Sequence, residues 1–240
     1  MIESKPLIVL LSGTYGVGKT TIAHHLGVEL SIMQRVGLGS IIKTIKTVLP
    51  ENEIVKEWNH YNLTDRGQVR EKLRRESQLI GRIIATIVDS AQQSGENYLI
   101  EGVQLLPEFL PMSELRMFIL GVSDTDAHRR RFEHPTITRA RHLNNCTFEL
   151  ARLVESIILE EAQPYSIPVI NNLSSPMETA ALIKMLLLAP PSAVAQVLAA
   201  STGDAIFGRK EGKTLLVNTG SCSGDAIALD LPAHRDDSGA

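Results

Sequence analysis

Cysteine is nearly absent from this chain. Cys146 and Cys222 are the two present, with no CxxC spacing, which argues against a disulfide framework or a zinc site and fits a reducing compartment. An excess of basic charge is missing as well: 24 Lys and Arg stand against 27 Asp and Glu, a net charge of −3. Proteins that wrap nucleic acid need a strongly basic face, so no nucleic-acid partner is expected. Long apolar runs are also missing. The stretch from Ala180 to Ala189 is broken by Lys184, closed by Pro190-Pro191, and too short to span a bilayer. Met1-Ile2-Glu3-Ser4-Lys5-Pro6 leads straight into an apolar run and leaves no room for a signal peptide. The expectation is a cytoplasmic protein with no membrane partner. Aromatic residues make up 4% of the chain, so platforms for stacking a base are few. No Asn-Lys-x-Asp element for guanine occurs, which disfavours a GTPase switch.

Against these absences stands Gly13-Thr14-Tyr15-Gly16-Val17-Gly18-Lys19-Thr20, which fits the G-x-x-x-x-G-K-[ST] phosphate loop. The run Leu7–Leu11 before it reads as a buried strand and Thr21–Leu30 behind it as a helix. That context separates a phosphate cradle from a chance match. Glycines at 13, 16 and 18 allow backbone angles and close approaches that a Cβ would block. The amides of this segment, from Gly13 through Thr14, Tyr15, Gly16, Val17 and Gly18 to Thr21, can then turn onto phosphate oxygens at the positive end of the helix dipole. Lys19 adds a point charge for the β and γ phosphates, and the Thr20 hydroxyl can ligate Mg²⁺. ATP and Mg²⁺ are the expected cofactors.

Further along, Met33–Leu38 is a short apolar patch, Gly39-Ser40 a break, and Ile41–Leu49 a helix stopped by Pro50. Glu51–Leu63 reads as irregular. Thr64 or Asp65 caps a long helix whose inward face carries Val69, Leu73, Ile80, Ile84 and Val88, while Arg66, Arg70, Lys72, Arg74, Arg75 and Arg82 form a mostly solvated face. Strands are expected at Tyr98–Ile100, Leu115–Val122 and Ile167–Ile170, and helices from Asp124 or Thr125 to Phe132, from Thr147 to Ala162 and from Met177 to Leu188. Strands alternating with helices imply a parallel sheet covered on both faces, with ligands beyond the carboxyl ends of the strands. The domain is expected over 1–189. Residues 190–240 form a partly irregular extension, with a small hairpin from Thr214–Val217 and Ala226–Leu231. The oligomeric state stays open, a homodimer included.

Two groups outside the loop can carry chemistry. Glu101-Gly102 directly follows the Tyr98–Ile100 strand, where an acid supports Mg²⁺ or activates a hydroxyl. His128 to Pro135, with Arg139 and Arg141 behind, puts five arginines after the Leu115–Val122 strand. Planar guanidinium groups there can bridge phosphate oxygens from a lid over 124–145. Lys19, Glu101, Arg131 and Arg139 are the catalytic candidates, and Thr20 with Glu101 the metal candidates. For the small-molecule acceptor the candidates are Ser40, Lys43, His60, Tyr61, Arg82 and Gln104, with Lys46 nearby. His24-His25 read as packing or surface residues.

The ordered pieces Ser12–Ala23, Gly95…Tyr98-Leu99-Ile100-Glu101-Gly102-Val103-Gln104-Leu105-Leu106-Pro107, Asp124…His128-Arg129…Arg131-Phe132 and Ile167-Pro168-Val169-Ile170-Asn171-Asn172 resemble the 2-phosphoglycerate kinase family. The resemblance runs from about Leu7 to Leu188. It implies a three-layer α/β phosphate-loop kinase core, ATP, Mg²⁺ and a small anionic acceptor. Two departures fall on the acceptor side. The family tends to have aspartate where Gly39-Ser40 stands and histidine where Gln104 stands. Two other kinds of enzyme share the core, nucleoside or nucleotide kinases and nucleotide-sugar kinases. A nucleotide-dependent regulator without transfer activity is the alternative from another class.

Overall fold

The computed structural model describes residues 5–56, 65–133, 147–189 and 216–218. The described residues form six parallel strands, most of them apolar runs bounded by turn residues and β2 a more polar one: β1 (Ile8–Ser12), β2 (Gln34–Gly37), β3 (Tyr98–Gly102), β4 (Arg116–Gly121), β5 (Val169–Asn171) and β6 (Leu216–Asn218). Their order is β2-β3-β1-β4-β5-β6. Seven helices accompany them in the described residues: α1 (Lys19–Glu29), α2 (Leu38–Val48), α3 (Glu53–Lys56), α4 (Arg66–Ser94), α5 (Thr125–Glu133), α6 (Phe148–Ala162) and α7 (Pro176–Leu188).

β1 is buried at every position, as expected of a strand covered on both faces. One apolar layer joins the sheet to α4 and α6 through Leu10, Ile80, Ile84, Ile100, Val154 and Ile158. The other joins it to α1 and α7 through Leu11, Ile22, Leu26, Ile170 and Ile183. The result is the helix–sheet–helix sandwich that the alternating pattern predicts. Each fully buried Leu or Ile side chain contributes about 1.5–3 kcal/mol of transfer free energy. The register sets Leu11 opposite Glu101 and Ser12 opposite Gly102, so the phosphate loop and the strand-end acid leave the sheet at the same edge.

The long helix starts where the sequence says, with Asp65 accepting a hydrogen bond from the Gln68 amide at 2.9 Å. It ends at Gly95, which takes the left-handed conformation at φ 72°. Its arginines are half-exposed or exposed, as expected of a mostly solvated face, but three of them pair with α6. Arg66 and Arg70 pair with Glu160, and Arg74 bridges Glu161 at 2.7 Å and Glu108 at 2.5 Å, fastening α4 to α6. Lys72 is not on the solvated face at all; it is 6% exposed. Pairs this near the surface are worth about 0–1 kcal/mol each, so the ladder fixes the angle of α4 more than it stabilises the fold.

Smaller departures occur at element ends. The expected break at Gly39-Ser40 is absorbed into the first turn of α2, which starts at Leu38 directly after β2. In the extension, Leu216–Asn218 pairs in parallel with β5 at the sheet edge. The second arm of the expected hairpin, Ala226–Leu231, lies outside the described residues, as does the rest of 190–240.

Candidate active site

The loop between β1 and α1 is held open by its own glycines and braced from behind. Gly13 sits at φ 140° with the Leu120 carbonyl 2.3 Å from where a Cβ would lie, and Gly18 takes φ 90°. An L side chain fits neither position. Two of the loop carbonyls, those of Tyr15 and Val17, turn onto the scaffold. Asn172 Nδ2, just past β5, donates to the Val17 carbonyl at 2.8 Å, and His128 on α5 meets the Tyr15 carbonyl at 2.7 Å through Nε2. The Thr14 hydroxyl adds a bond to the Ala151 carbonyl of α6 at 2.7 Å, and the Ser12 hydroxyl one to Leu105 at 3.1 Å. With the Tyr15 and Val17 carbonyls committed to the scaffold, the Gly16 and Gly18 amides of the same trans peptides point the opposite way, the orientation an anion requires.

Lys19 Nζ donates to the Thr14 carbonyl at 2.6 Å, which keeps the ammonium against the loop. The Thr20 hydroxyl donates to Glu101 Oε1 at 2.8 Å. The two metal candidates, 81 residues apart, are thus in direct contact. Both offer oxygen donors, the chemistry Mg²⁺ selects. Among the described residues no group of three or more His, Cys, Asp and Glu side chains could hold a metal. Mg²⁺ would therefore rely on the nucleotide phosphates for further ligands, its usual mode.

Of the arginines after β4, Arg131 reaches the loop region. Its guanidinium donates to the Asn172 carbonyl, and burial, reinforced by Arg130, lowers its pKa. Arg129 instead lies 4.2 Å from the Phe148 ring centroid and pairs with Glu133 and Glu149, and Arg130 is exposed. Arg139, Arg141 and the lid beyond Glu133 lie outside the described residues, as do His60 and Tyr61.

Of the acceptor candidates, Gln104 is buried and donates to Glu76 Oε2 at 3.0 Å. Ser40 and Lys43 are exposed on α2. Arg82 is exposed on α4, six residues beyond Glu76 and so about 9 Å further along the axis. The structure brings Gln104 into a cluster but leaves Ser40, Lys43 and Arg82 at the surface. A roomier cleft between Lys5–Ile8, Gln92, Glu114 and Arg116 opens at the amino ends of the strands. That is the edge opposite the loop, where parallel sheets do not place phosphate chemistry.

Sequence reasoning overlooked two residues that stand behind the cradle, Asn172 and Arg152. Asn172 follows a strand end, the same signal that singled out Glu101. Arg152 gave none, being one charge in an amphipathic helix. It donates to Glu155 Oε2 at 2.5 Å and lies 3.4 Å from His128 Nδ1. Because the Tyr15 carbonyl can only accept, His128 carries its proton on Nε2 and turns a lone pair toward Arg152.

Burial first, then the nearby charges of Arg152, Arg131 and Lys19, lower the pKa of His128 below its ordinary 6.5, against the Tyr15 hydrogen bond that raises it. The unfolded chain therefore takes up a proton near pH 6.5 that the folded chain resists. The contribution of His128 to stability is full above that value and is lost as the pH drops through 6.5 toward the folded pKa. His128→Gln, which can still donate to Tyr15, is expected to flatten this dependence. Melting temperatures between pH 5.5 and 7.5 check it; an unchanged slope in the variant would sink the assignment.

A family model described as AAA domain matches residues 9–163, well over half of the 240-residue chain. The chain belongs to the AAA domain family. Within that family frame it is similar to curated 2-phosphoglycerate kinases, as the motifs imply. The protein of that name from Methanopyrus kandleri is 28% identical over 188 residues, covering 71% of this chain and 57% of the relative. That from Methanocaldococcus jannaschii is 23% identical over 192 residues, covering 72% and 60%. The chain thus spans less than two thirds of the length of these relatives. Among solved structures, a shikimate kinase from Acinetobacter baumannii in complex with shikimate aligns with a TM-score of 0.45 at 16% identity, over 78% of this chain and 94% of that one. A score this low decides nothing further. The AAA domain contains every element of the cradle except Asn172, which lies just beyond it. No helix of the described residues is long and apolar enough to cross a membrane.

Proposed function

We propose that residues 1–189 form a kinase unit that moves the γ-phosphoryl group of ATP onto a hydroxyl of a small anionic metabolite of the 2-phosphoglycerate type. The observation that carries this reading is the hydrogen bond from Thr20 to Glu101, which sets a carboxylate beside the cradle at the carboxyl edge of the sheet. The names of the curated relatives support the acceptor class.

The transition state of phosphoryl transfer is loose, so positioning and charge stabilisation do most of the work. The loop amides and Lys19 hold the β and γ phosphates. Arg131 supplies a guanidinium to the charge that spreads over the transferred group. Thr20 and Glu101 are the residues that would hold Mg²⁺, which when bound neutralises phosphate charge. Glu101 is also the acid nearest to hand for orienting the acceptor hydroxyl, since Gly39-Ser40 offers no carboxylate there.

Incubation with ATP, Mg²⁺ and 2-phosphoglycerate should release ADP and phosphorylate the free hydroxyl of the acceptor. ADP release should depend on the acceptor. Tight ATP binding with no phosphorylated product, across a panel of phosphorylated and carboxylated hydroxy-acids, would overturn the reading.

A further inference from the structure

Three threonines inside helices of this chain satisfy their hydroxyls locally. Thr44, Thr47 and Thr86 each donate to the carbonyl four residues back. Thr179, near the start of α7, does otherwise: its hydroxyl donates to Oδ1 of Asn172 at 2.9 Å. The residue is fully buried, and α7 sets its neighbours Ala180, Ile183 and Leu186 into the apolar layer shared with α1. A valine has the same shape and would bury there with no hydroxyl to satisfy. Packing alone does not call for a threonine at this position.

What the hydroxyl does is set the direction of an amide. The Asn172 side chain is buried, with an acceptor at one end and donors at the other. The Val17 carbonyl can only accept, so the NH2 group of Asn172 faces it, at 2.8 Å. Oδ1 is left pointing toward α7, where Thr179 meets it. Turned over, the amide would set two acceptors against each other with no proton between them. The backbone of Asn172 is held as well: its N–H donates to the Gly121 carbonyl at 2.8 Å, and its own carbonyl accepts from Arg131. The turn of the side-chain amide is the freedom that remains, and Thr179 removes it.

The far end of this series of bonds is the phosphate loop. The Val17 carbonyl and the Gly18 N–H belong to one trans peptide, so holding the first aims the second the opposite way. Gly18 also leaves room for the contact, since a Cβ there would come 2.7 Å from Asn172 Nδ2. Two buried bonds, each donated toward the loop, thus run from α7 to the peptide between Val17 and Gly18. Bonds in series polarise one another in the same sense.

We propose that Thr179 is a positioning residue for the phosphate loop, acting through Asn172 to fix the Val17–Gly18 peptide and with it the Gly18 amide that receives phosphate. The assignment rests on the reading of the loop as a nucleotide cradle. It gives α7 a part in binding ATP without touching it. When the hydroxyl is removed, Oδ1 is left buried and bare, and the amide finds relief by turning off Val17. The peptide then loses its anchor, and nucleotide binding has to order it again at a cost in affinity.

The test is calorimetry with Mg·ATP, at a temperature where melting curves show each variant folded. Thr179→Val keeps the shape and loses the hydroxyl. It should bind Mg·ATP about three- to tenfold more weakly, the scale of one hydrogen bond. Thr179→Ser keeps the hydroxyl and loses a methyl, so it should melt lower yet bind Mg·ATP as the wild type does. A purely structural Thr179 would shift melting temperatures and leave both affinities alone. Asn172→Ala should weaken binding at least as much as Thr179→Val. Adding Thr179→Val to it leaves no bare polar group at either end and should change the affinity no further, because the series is already cut.

Wild-type affinity in Thr179→Val or in Asn172→Ala, an equal loss in Thr179→Ser, or a further loss in the double variant would each overturn the assignment. So would a wild type that does not bind Mg·ATP, which would remove the cradle itself. If the wild type binds Mg·ATP and Thr179→Val binds it weakly, but no acceptor is phosphorylated, the kinase reading falls and the positioning role stands.

Discussion

Lys19→Ala is expected to lower phosphoryl transfer by about 10²–10³-fold or more, the scale of removing one preorganised charge from a transition state. The side chain is anchored to the Thr14 carbonyl and shielded by the loop, so its ammonium acts where water screens little. It neutralises charge at the β and γ phosphates, and alanine supplies none. The fold should survive. Lys19 opens α1, alanine is a better helix former, and the loop is braced by Asn172, His128 and Thr14 through bonds that do not involve Lys19. Turnover measured by ADP release, beside a melting curve, checks the expectation. A folded variant with wild-type turnover would remove the loop from the chemistry.

Glu101→Gln should reduce turnover by about 10²-fold while ATP affinity changes only severalfold. Glutamine keeps the size of the side chain and an oxygen that accepts from the Thr20 hydroxyl, so the contact at 2.8 Å can persist. What disappears is the negative charge, needed to attract Mg²⁺ or to receive the acceptor proton. Steady-state turnover compared with calorimetric ATP binding separates the two effects. Unchanged turnover would reduce Glu101 to a cap that merely orders Thr20.

How much of this was legible depended on whether a residue's role follows from its place in the chain or its place in space. Gly13 to Thr20 form a local motif whose chemistry lies in consecutive amides, and β1 and α1 flank it as the sequence implies. Glu101 could be read because a strand end in a parallel sheet faces the ligand edge.

Lys72 was assigned to solvent because it is charged. Its position told otherwise: three residues after Val69 and four before Glu76, it lies on the buried stripe of α4. Helical angle outweighed residue type, and the buried charge is met by Glu76 one turn on, itself bonded to Gln104 from beyond β3. The arginines of α4 keep the exposure expected of them, but the pairing of Arg66, Arg70 and Arg74 was illegible because Glu160 and Glu161 sit on a helix some 90 residues later. Asn172 and Arg152 act through contacts of this long-range kind, which no periodicity announces.

One consequence follows from the bracing behind the cradle. Val17 is tied to the Asn172 side chain, the Asn172 carbonyl to Arg131, and Tyr15, two residues before Val17, to His128, three residues before Arg131 on the same helix. These bonds close a triangle between loop, strand end and α5. A triangle cannot shear without stretching one of its sides. The receptacle for the polyphosphate is accordingly set before any nucleotide arrives, and little binding energy is consumed in shaping it.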